Sequence, residues 1–261
     1  MRAFRVAYDG TPFFGFQRQP NVPTVEGALF DALRDLDVFS GEKPEGYAAA
    51  GRTDRGVSAR AQTVAFEAPE WLTPRAFDSA LPESVRVWAS ADVPDDFHAT
   101  HHANYREYVY HLYAPELDDE RARRAADRLR GEHDFHNLTT DGENTVRDLE
   151  IGLARDGDYL VFTVRASGFP RGLVRRVVAL VHAVASGESG MDRVDRVLTP
   201  DPLDGPLGVP EAPAHPLVLA DVGYDVEFVV DEQANARRRD CFSERAAERR
   251  TRARVADLLT D

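Results

Sequence analysis

The sequence predicts an α+β protein, a mixed and mainly antiparallel sheet flanked by helices and built in two comparable halves. Three observations carry this reading. Apolar alternation at a period of two recurs along the chain, most strictly from Arg106 to Tyr113. Stretches with helical spacing fall between the alternating ones. Two alternating stretches, Arg147 to Leu153 and Tyr159 to Arg165, flank Asp156-Gly157, a pair that turns a hairpin. Hairpins mixed with helices favour α+β over a doubly wound parallel sheet, and each half holds roughly four strands and two helices.

The elements follow in order. Arg2 to Asp9 reads as a strand, and residues 10–23 as a loop containing Pro12, Phe13, Phe14, Gly15, Phe16, Gln17, Arg18 and Gln19. Thr24 suits a helix N-cap, and Leu29, Leu33 and Leu36 recur at helical spacing through Asp37. A loop from Gly51 to Gly56 precedes a strand at Thr63 to Phe66. Pro74 opens a short helix, since proline is tolerated in a first turn, and Val85 to Val93 is a further strand. The second half begins near Tyr105. In its first strand Tyr108, Tyr110 and Leu112 share one face. Asp118 to Gly131 reads as a charged surface helix with a glycine stop. Leu173 to Val184 is apolar nearly all round, the pattern of a buried helix. A loop over 199–216 carries Pro200, Pro202, Pro206, Pro210, Pro213 and Pro216, and Leu217 to Val230 returns as a strand. The expected division is 1–103, 104–230 and a charged helical tail over 231–261.

Composition narrows the classes. Cys241 is the only cysteine, so no internal disulfide and no multi-thiolate zinc site can form. No run is long and apolar enough to span a bilayer. Arg2 to Val6 alternates like a strand and lacks the apolar core of a signal peptide, so a cytoplasmic location is expected. The net charge of −13 opposes nucleic acid at ordinary ionic strength. Yet Lys43 is the sole lysine among 32 Lys and Arg, against 45 Asp and Glu. That balance reads as adaptation to high salt, although a GC-rich genome would also favour Arg. At 1 M salt the screening length falls to about 3 Å, so an acidic surface no longer excludes RNA. The tail concentrates eight arginines, and a solvated helix explains them without an RNA-binding role.

Gly51-Arg52-Thr53-Asp54-Arg55-Gly56 is the most informative segment. Alone, an Asp in a glycine-bounded loop is ordinary turn chemistry. As a nucleophile, Asp54 would need to be ionised and partly desolvated, which requires a nearby cation. Arg175 and Arg176 stand between Val174 and Val177 in the apolar helix. Neighbouring helical residues point about 100° apart, so at least one faces the interior and needs an anion; either could pair with Asp54. Tyr108 could stack on a base or orient a proton, or simply pack in the core. The aromatic and basic loop at Phe16, Gln17 and Arg18 suits flipped or single-stranded nucleotides, with some of its phenylalanines as anchors. Ser58, His98, His101, His102 and His136 form no triad or metal pattern, and no phosphate-binding glycine motif exists. No metal and no organic cofactor is expected.

These motifs together resemble the tRNA pseudouridine synthases of the A type (the TruA family). The landmarks are Tyr8-Asp9-Gly10 with Phe14 to Gln19, Gly51 to Val57, Asp95 to Ala99, Arg106 to Tyr110, Gly131 to Phe135, and Gly168-Phe169 with Leu173 to Arg175. They run in order from Arg2 to about Tyr224. The resemblance implies two ferredoxin-like (RNP-like) halves with the active-site cleft between them, and uridine isomerisation at positions 38, 39 and 40 of the tRNA anticodon arm by a homodimer. It implies Asp54 as the catalytic aspartate, Tyr108 as the tyrosine contacting the base, Arg175 rather than Arg176 as the partner of Asp54, Arg52 as a nucleotide-flipping group, and Leu217 as an apolar contact to the base. Ser58 stands where bacterial members often carry His, and the tail beyond Val226 resembles the archaeal branch. Two rival readings are a non-catalytic RNA-binding module and a uridine-directed glycosidase. The glycosidase would need a second carboxylate, for which Asp9 and Asp96 are available.

Overall fold

The computed structural model describes residues 1–203 and 208–259. Pro206, within the expected proline-rich connection, and the last two residues of the tail lie outside the described residues. In chain order the elements are β1 Arg2–Tyr8, α1 Val25–Asp35, β2 Ala48–Ala49, β3 Ser58–Phe66, α2 Pro74–Ser79, β4 Val85–Asp92 and β5 Tyr105–Tyr113. They continue with α3 Asp119–Leu129, β6 Gly131–Asp134, a 3-10 turn His136–Leu138, β7 Val146–Asp156 and β8 Tyr159–Ala166. The last are α4 Leu173–Ala185, α5 Asp192–Val197, β9 Leu217–Gly223, β10 Val229–Val230 and α6 Glu232–Leu258. The α+β class holds, with helices against a mixed sheet. Two compact units account for these elements: Met1–Arg52, Gln62–His101 and Val226–Asp261 form one, and Thr53–Ala61 and His102–Asp225 the other.

The first unit orders its strands β10-β4-β1-β3, with β2 on β3. β1 and β4 pair antiparallel from Arg2↔Asp92 to Tyr8↔Val85. The alternation read in the sequence puts Phe4 of β1 and Phe66 of β3 on one face, where their rings stack at 5.3 Å. Phe77 of α2 meets both edge-on, at 5.5 and 6.2 Å. α1 starts where Thr24 accepts the Gly27 amide, and buries Val25, Leu29, Phe30, Ala32 and Leu33. α6 begins at the cap residue Asp231 and has one fully buried residue, Ala234. Charge fixes it to the unit. Arg237 reaches the buried Asp78, and Arg245 and Arg249 both reach Asp9. Burial works to raise the pKa of Asp9, but the Thr11 hydroxyl and amide and the two guanidiniums bring it below the ordinary value.

The second unit orders its strands β9-β5-β8-β7-β6, with the first residues of β3 parallel to β9. β5 pairs antiparallel with β8 and with β9. The charged helix α3 turns Ala122, Ala125, Ala126 and Leu129 inward. α4 buries eight residues from Leu173 to Ala185, as its apolar sequence requires. It opens at Gly172, whose φ is +74°, without a side-chain cap.

Several features depart from the sequence reading, and β3 begins at Ser58, five residues before the expected Thr63. The expected strand Leu217 to Val230 is two strands, β9 and β10. The Tyr105 ring lies 2.1 Å from where a Cβ on Gly223 would stand, and Asn104 holds the following bend through Gly223 O and Asp225. The hairpin closes on Asp156↔Tyr159, so its turn is Gly157-Asp158, one residue later than expected. Gly131 ends α3 but also starts β6, whose polar sequence has no apolar alternation to reveal it. α5 is short and buries only Val194 and Val197.

Two stability outcomes are expected. Phe77→Ala removes the ring shared by Phe4 and Phe66 and should cost about 3–5 kcal/mol in chemical denaturation. Gly172→Ala forces a left-handed backbone on a residue with a Cβ, at about 1–2 kcal/mol. The added Cβ would also stand 2.5 Å from Glu211 Oε1, so the denaturation midpoint should fall by more than backbone strain alone predicts.

Candidate active site

Asp54 lies in a tight turn ahead of β3. The Val57 amide donates to the Asp54 carbonyl at 3.1 Å. Gly56 has a φ of +82°, so the turn needs glycine there. β3 then enters the sheet parallel to β9, Ser58 opposite Val218. The Asp54 side chain is 41% exposed, open enough to meet a substrate and half withdrawn from water.

α4 supplies the cation. Its apolar faces are buried, which fixes its first turn and leaves Arg175 and Arg176 pointing at residues 209–212. Arg175 Nε donates to the Ala212 carbonyl at 2.6 Å, and the Ala212 amide donates back to the Arg175 carbonyl at 3.2 Å. Arg175 Nη1 then stands 2.6 Å from Glu211 Oε2 and 3.6 Å from Asp54 Oδ2. The longer distance is a charge contact and not a full hydrogen bond. Arg176 takes the other side of the same glutamate, Nη2 to Oε1 at 3.1 Å, and its Nη1 donates to the Val209 carbonyl. Of the two arginines that charge and helical spacing leave equal, Arg175, the one the resemblance implies, is beside Asp54, and both hold Glu211.

The balance of charge at Asp54 is not a simple pair. Burial raises its pKa most, Arg175 opposes this, Glu211 adds to it, and Arg171 opposes it; the carboxyl ends above its ordinary value. Arg175 thus keeps Asp54 from being still harder to ionise but does not return it to the range of a free carboxylate.

Tyr108 and Tyr110 share a face of β5, opposite Leu219 and Leu217 of β9. Tyr108 is 9% exposed, and the Phe169 ring meets it edge-on at 5.1 Å. Burial pushes its phenol up to about 12; Arg106 works against this and Asp54 with it. The phenol is consequently protonated at neutral pH and can donate a hydrogen bond. Tyr110 is likewise raised to about 12 by burial, with Arg175 opposing. Leu217 is 5% exposed, its amide tied to the Ala214 carbonyl at 3.0 Å. Asp54, Tyr108, Arg175 and Leu217 all belong to the second unit.

The remaining predicted residues belong to the first unit. Arg52 is exposed, two residues before Asp54 in the chain. Phe16 is 1% exposed and packs its ring against Tyr8 at 6.1 Å, an anchor for its loop. Gln17 and Arg18 are exposed, as is Phe14. Arg18 donates to the Glu42 carbonyl at 2.9 Å, with its guanidinium 5.5 Å above the Phe30 ring. Among the described residues no group of three or more His, Cys, Asp and Glu has the geometry to hold a metal ion. Glu211 and Arg171 escaped the sequence reading. Glu211 lies between Pro210 and Pro213 in what read as a plain connection, and only its register against α4 gives it a role.

Known proteins give the same direction. Residues 125–225 match a family profile described as tRNA pseudouridine synthase. The tRNA pseudouridine synthase A of Halobacterium salinarum is 61% identical over 262 residues, covering 99% of this chain and 98% of the relative. That of Haloarcula marismortui is 57% identical over 273 residues, covering 100% and 99%. That of Methanosarcina mazei is 38% identical over 264 residues, covering 98% and 97%. With near-complete coverage at these identities, the chain belongs to the tRNA pseudouridine synthase A family.

Proposed function

We propose that this chain isomerises uridine to pseudouridine in tRNA, with Asp54 as the nucleophile. The observation that carries this reading is the half-buried Asp54 carboxylate beside the α4 guanidinium of Arg175, at 3.6 Å. The reaction breaks the N1–C1′ bond, turns the uracil and forms a C5–C1′ bond. The C5 proton leaves and N1 takes one up, so no oxidant, reductant or net hydrolysis is involved. A carboxylate that adds covalently to the nucleoside divides this into two easier steps. The target uridine must first leave its stack, a cost of a few kcal/mol.

The roles in this reading combine the site geometry with the motif resemblance. Arg175 orients Asp54 and offsets its charge. Tyr108, a protonated phenol edge-on to Phe169, packs against the base and donates a hydrogen bond. Leu217 supplies an apolar contact to the ring. Arg52, Gln17 and Arg18 handle the RNA backbone, with Phe16 anchoring the loop. The motif resemblance supports a target at positions 38 to 40 of the anticodon arm and a cytoplasmic, homodimeric enzyme. A glycosidase reading would need a second carboxylate at the bond. Asp9 is instead held by Arg245 and Arg249, and Glu211, the carboxylate that shares Arg175 with Asp54, is tied at both oxygens by Arg175 and Arg176. A non-catalytic RNA-binding module could keep the Asp54–Arg175 contact for structure alone, and the turnover of the Asp54→Asn variant separates the two readings.

Asp54→Asn should abolish turnover, read as loss of tritium release from 5-labelled uridine tRNA, with tRNA affinity little changed. Tritium release at the wild-type rate would refute the nucleophile assignment. The same variant should be at least as stable as wild type. A folded-state pKa above the unfolded one, about 3.9 for Asp, gives stability that is full below the unfolded value and is lost as pH rises through the folded one. At neutral pH the ionised Asp54 therefore costs stability, and Asn removes that cost while Arg175 keeps Glu211. Thermal melting at neutral pH checks this, and a lower melting point would contradict it.

Because Asp54 must be ionised to attack, the acid limb of kcat/KM for the wild type should lie above the ordinary aspartate range. A pH–rate profile measures this directly.

A further inference from the structure

We propose that Glu211 is a positioning residue that divides Arg175 between itself and Asp54, and so leaves the Asp54 carboxylate only partly compensated. This rests on the proposed role of Asp54. The geometry is asymmetric. The Arg175 Nη1 group is 2.6 Å from Glu211 and 3.6 Å from Asp54, so the nearer carboxylate takes the direct hydrogen bond. Glu211 is fixed at both oxygens, Oε2 by Arg175 and Oε1 by Arg176. Its backbone is fixed as well, because both arginines also hold the flanking carbonyls of Val209 and Ala212. Space is reserved for the carboxylate, since a Cβ at Gly172 would stand 2.5 Å from Oε1 and 3.0 Å from Cδ. A side chain so held cannot yield Arg175 to Asp54 without losing a charge-assisted bond.

The consequence is chemical. A nucleophilic carboxylate locked in a full ion pair is ionised but held back by its partner. A carboxylate with no cation nearby is protonated when buried. Sharing one guanidinium between two carboxylates places Asp54 between these limits. The groups that bear on it are Arg175 from α4, Glu211 from the 209–212 segment, Arg171 from the connection before α4, and Tyr108 from β5. Only Glu211 brings a second negative charge among the causes that set the Asp54 carboxyl. Glu211→Gln keeps one acceptor oxygen where Glu211 has two, and it removes that charge, releasing Arg175 toward Asp54.

The test is the pH profile of kcat/KM for pseudouridine formation, run beside a carbon-13 carboxyl titration of Asp54 assigned with D54N. In folded E211Q the acid limb and the Asp54 titration should both move to lower pH. In E211D, which keeps the charge, they should stay closer to wild type. Arg176→Gln strips Glu211 of one of its two cations and should move both to higher pH, which keeps the idea testable if E211Q does not fold. An unmoved Asp54 titration in folded E211Q or R176Q, or an equal shift in E211D and E211Q, overturns the proposal. Wild-type protein that forms no pseudouridine would refute the proposed function instead, while the Asp54 titration would still decide the part played by Glu211.

Discussion

A guanidinium withdrawn from water must have its charge answered, and that constraint organises the second unit around Arg175. The side chain is 16% exposed, held there because Leu173, Val174, Val177 and Val178 drive the start of α4 inward. Taking an isolated charge out of water costs several kcal/mol even after relaxation, so its surroundings must supply anions and acceptors. They come from three places: the Ala212 carbonyl, the Glu211 carboxylate and the turn that presents Asp54. The 209–212 segment has no regular secondary structure of its own. Its position follows from the two arginines that bind its carbonyls, so the helix places the segment as much as it places the cation.

The sheet supplies the apolar side of the same site. The irregularity between Glu107 and Tyr108 in the β5–β9 ladder separates Arg106, opposite Val222, from Tyr108, opposite Leu219. A one-residue change of register exchanges the faces of a strand. The shift therefore decides that both tyrosines and both leucines line one face. Burial raises both phenols to about 12, so in the free protein they stand as protonated donors and packing surfaces.

Much of this was legible in the residues, and what was not has a physical reason. β5 was read from strict alternation, α4 from continuous apolarity, and the α1 and α2 starts from Thr24 and Pro74, because in each the local signal and the tertiary environment agree. The break between β9 and β10 was hidden because it depends on Tyr105 occupying the space beside Gly223, a contact more than a hundred residues apart in sequence. Asp54 stood out through its flanking glycines and arginines, but the choice of Arg175 over Arg176 depended on helix phase, which residue types alone do not reveal. Glu211 was invisible for the same reason: an acid among prolines becomes meaningful only once two arginines converge on it. Phe13, Phe14 and Phe16 looked alike in sequence, and only packing separates the buried anchors from the exposed ring of Phe14.

The acidic, lysine-poor composition bears on which of these interactions can matter. If the protein works near 1 M salt, the screening length is about 3 Å. Exposed pairs such as Arg252–Glu248 then contribute little, being weak already at low salt. The Arg175–Glu211 contact at 2.6 Å is a direct hydrogen bond between side chains partly shielded from solvent, so it persists. The Asp54 contact at 3.6 Å is longer, and its side chain is more open to ions. Salt therefore weakens the Asp54 arm of the shared guanidinium more than the Glu211 arm. The partition of Arg175 is thus held by direct hydrogen-bond geometry, and it does not require the long-range field of an acidic surface.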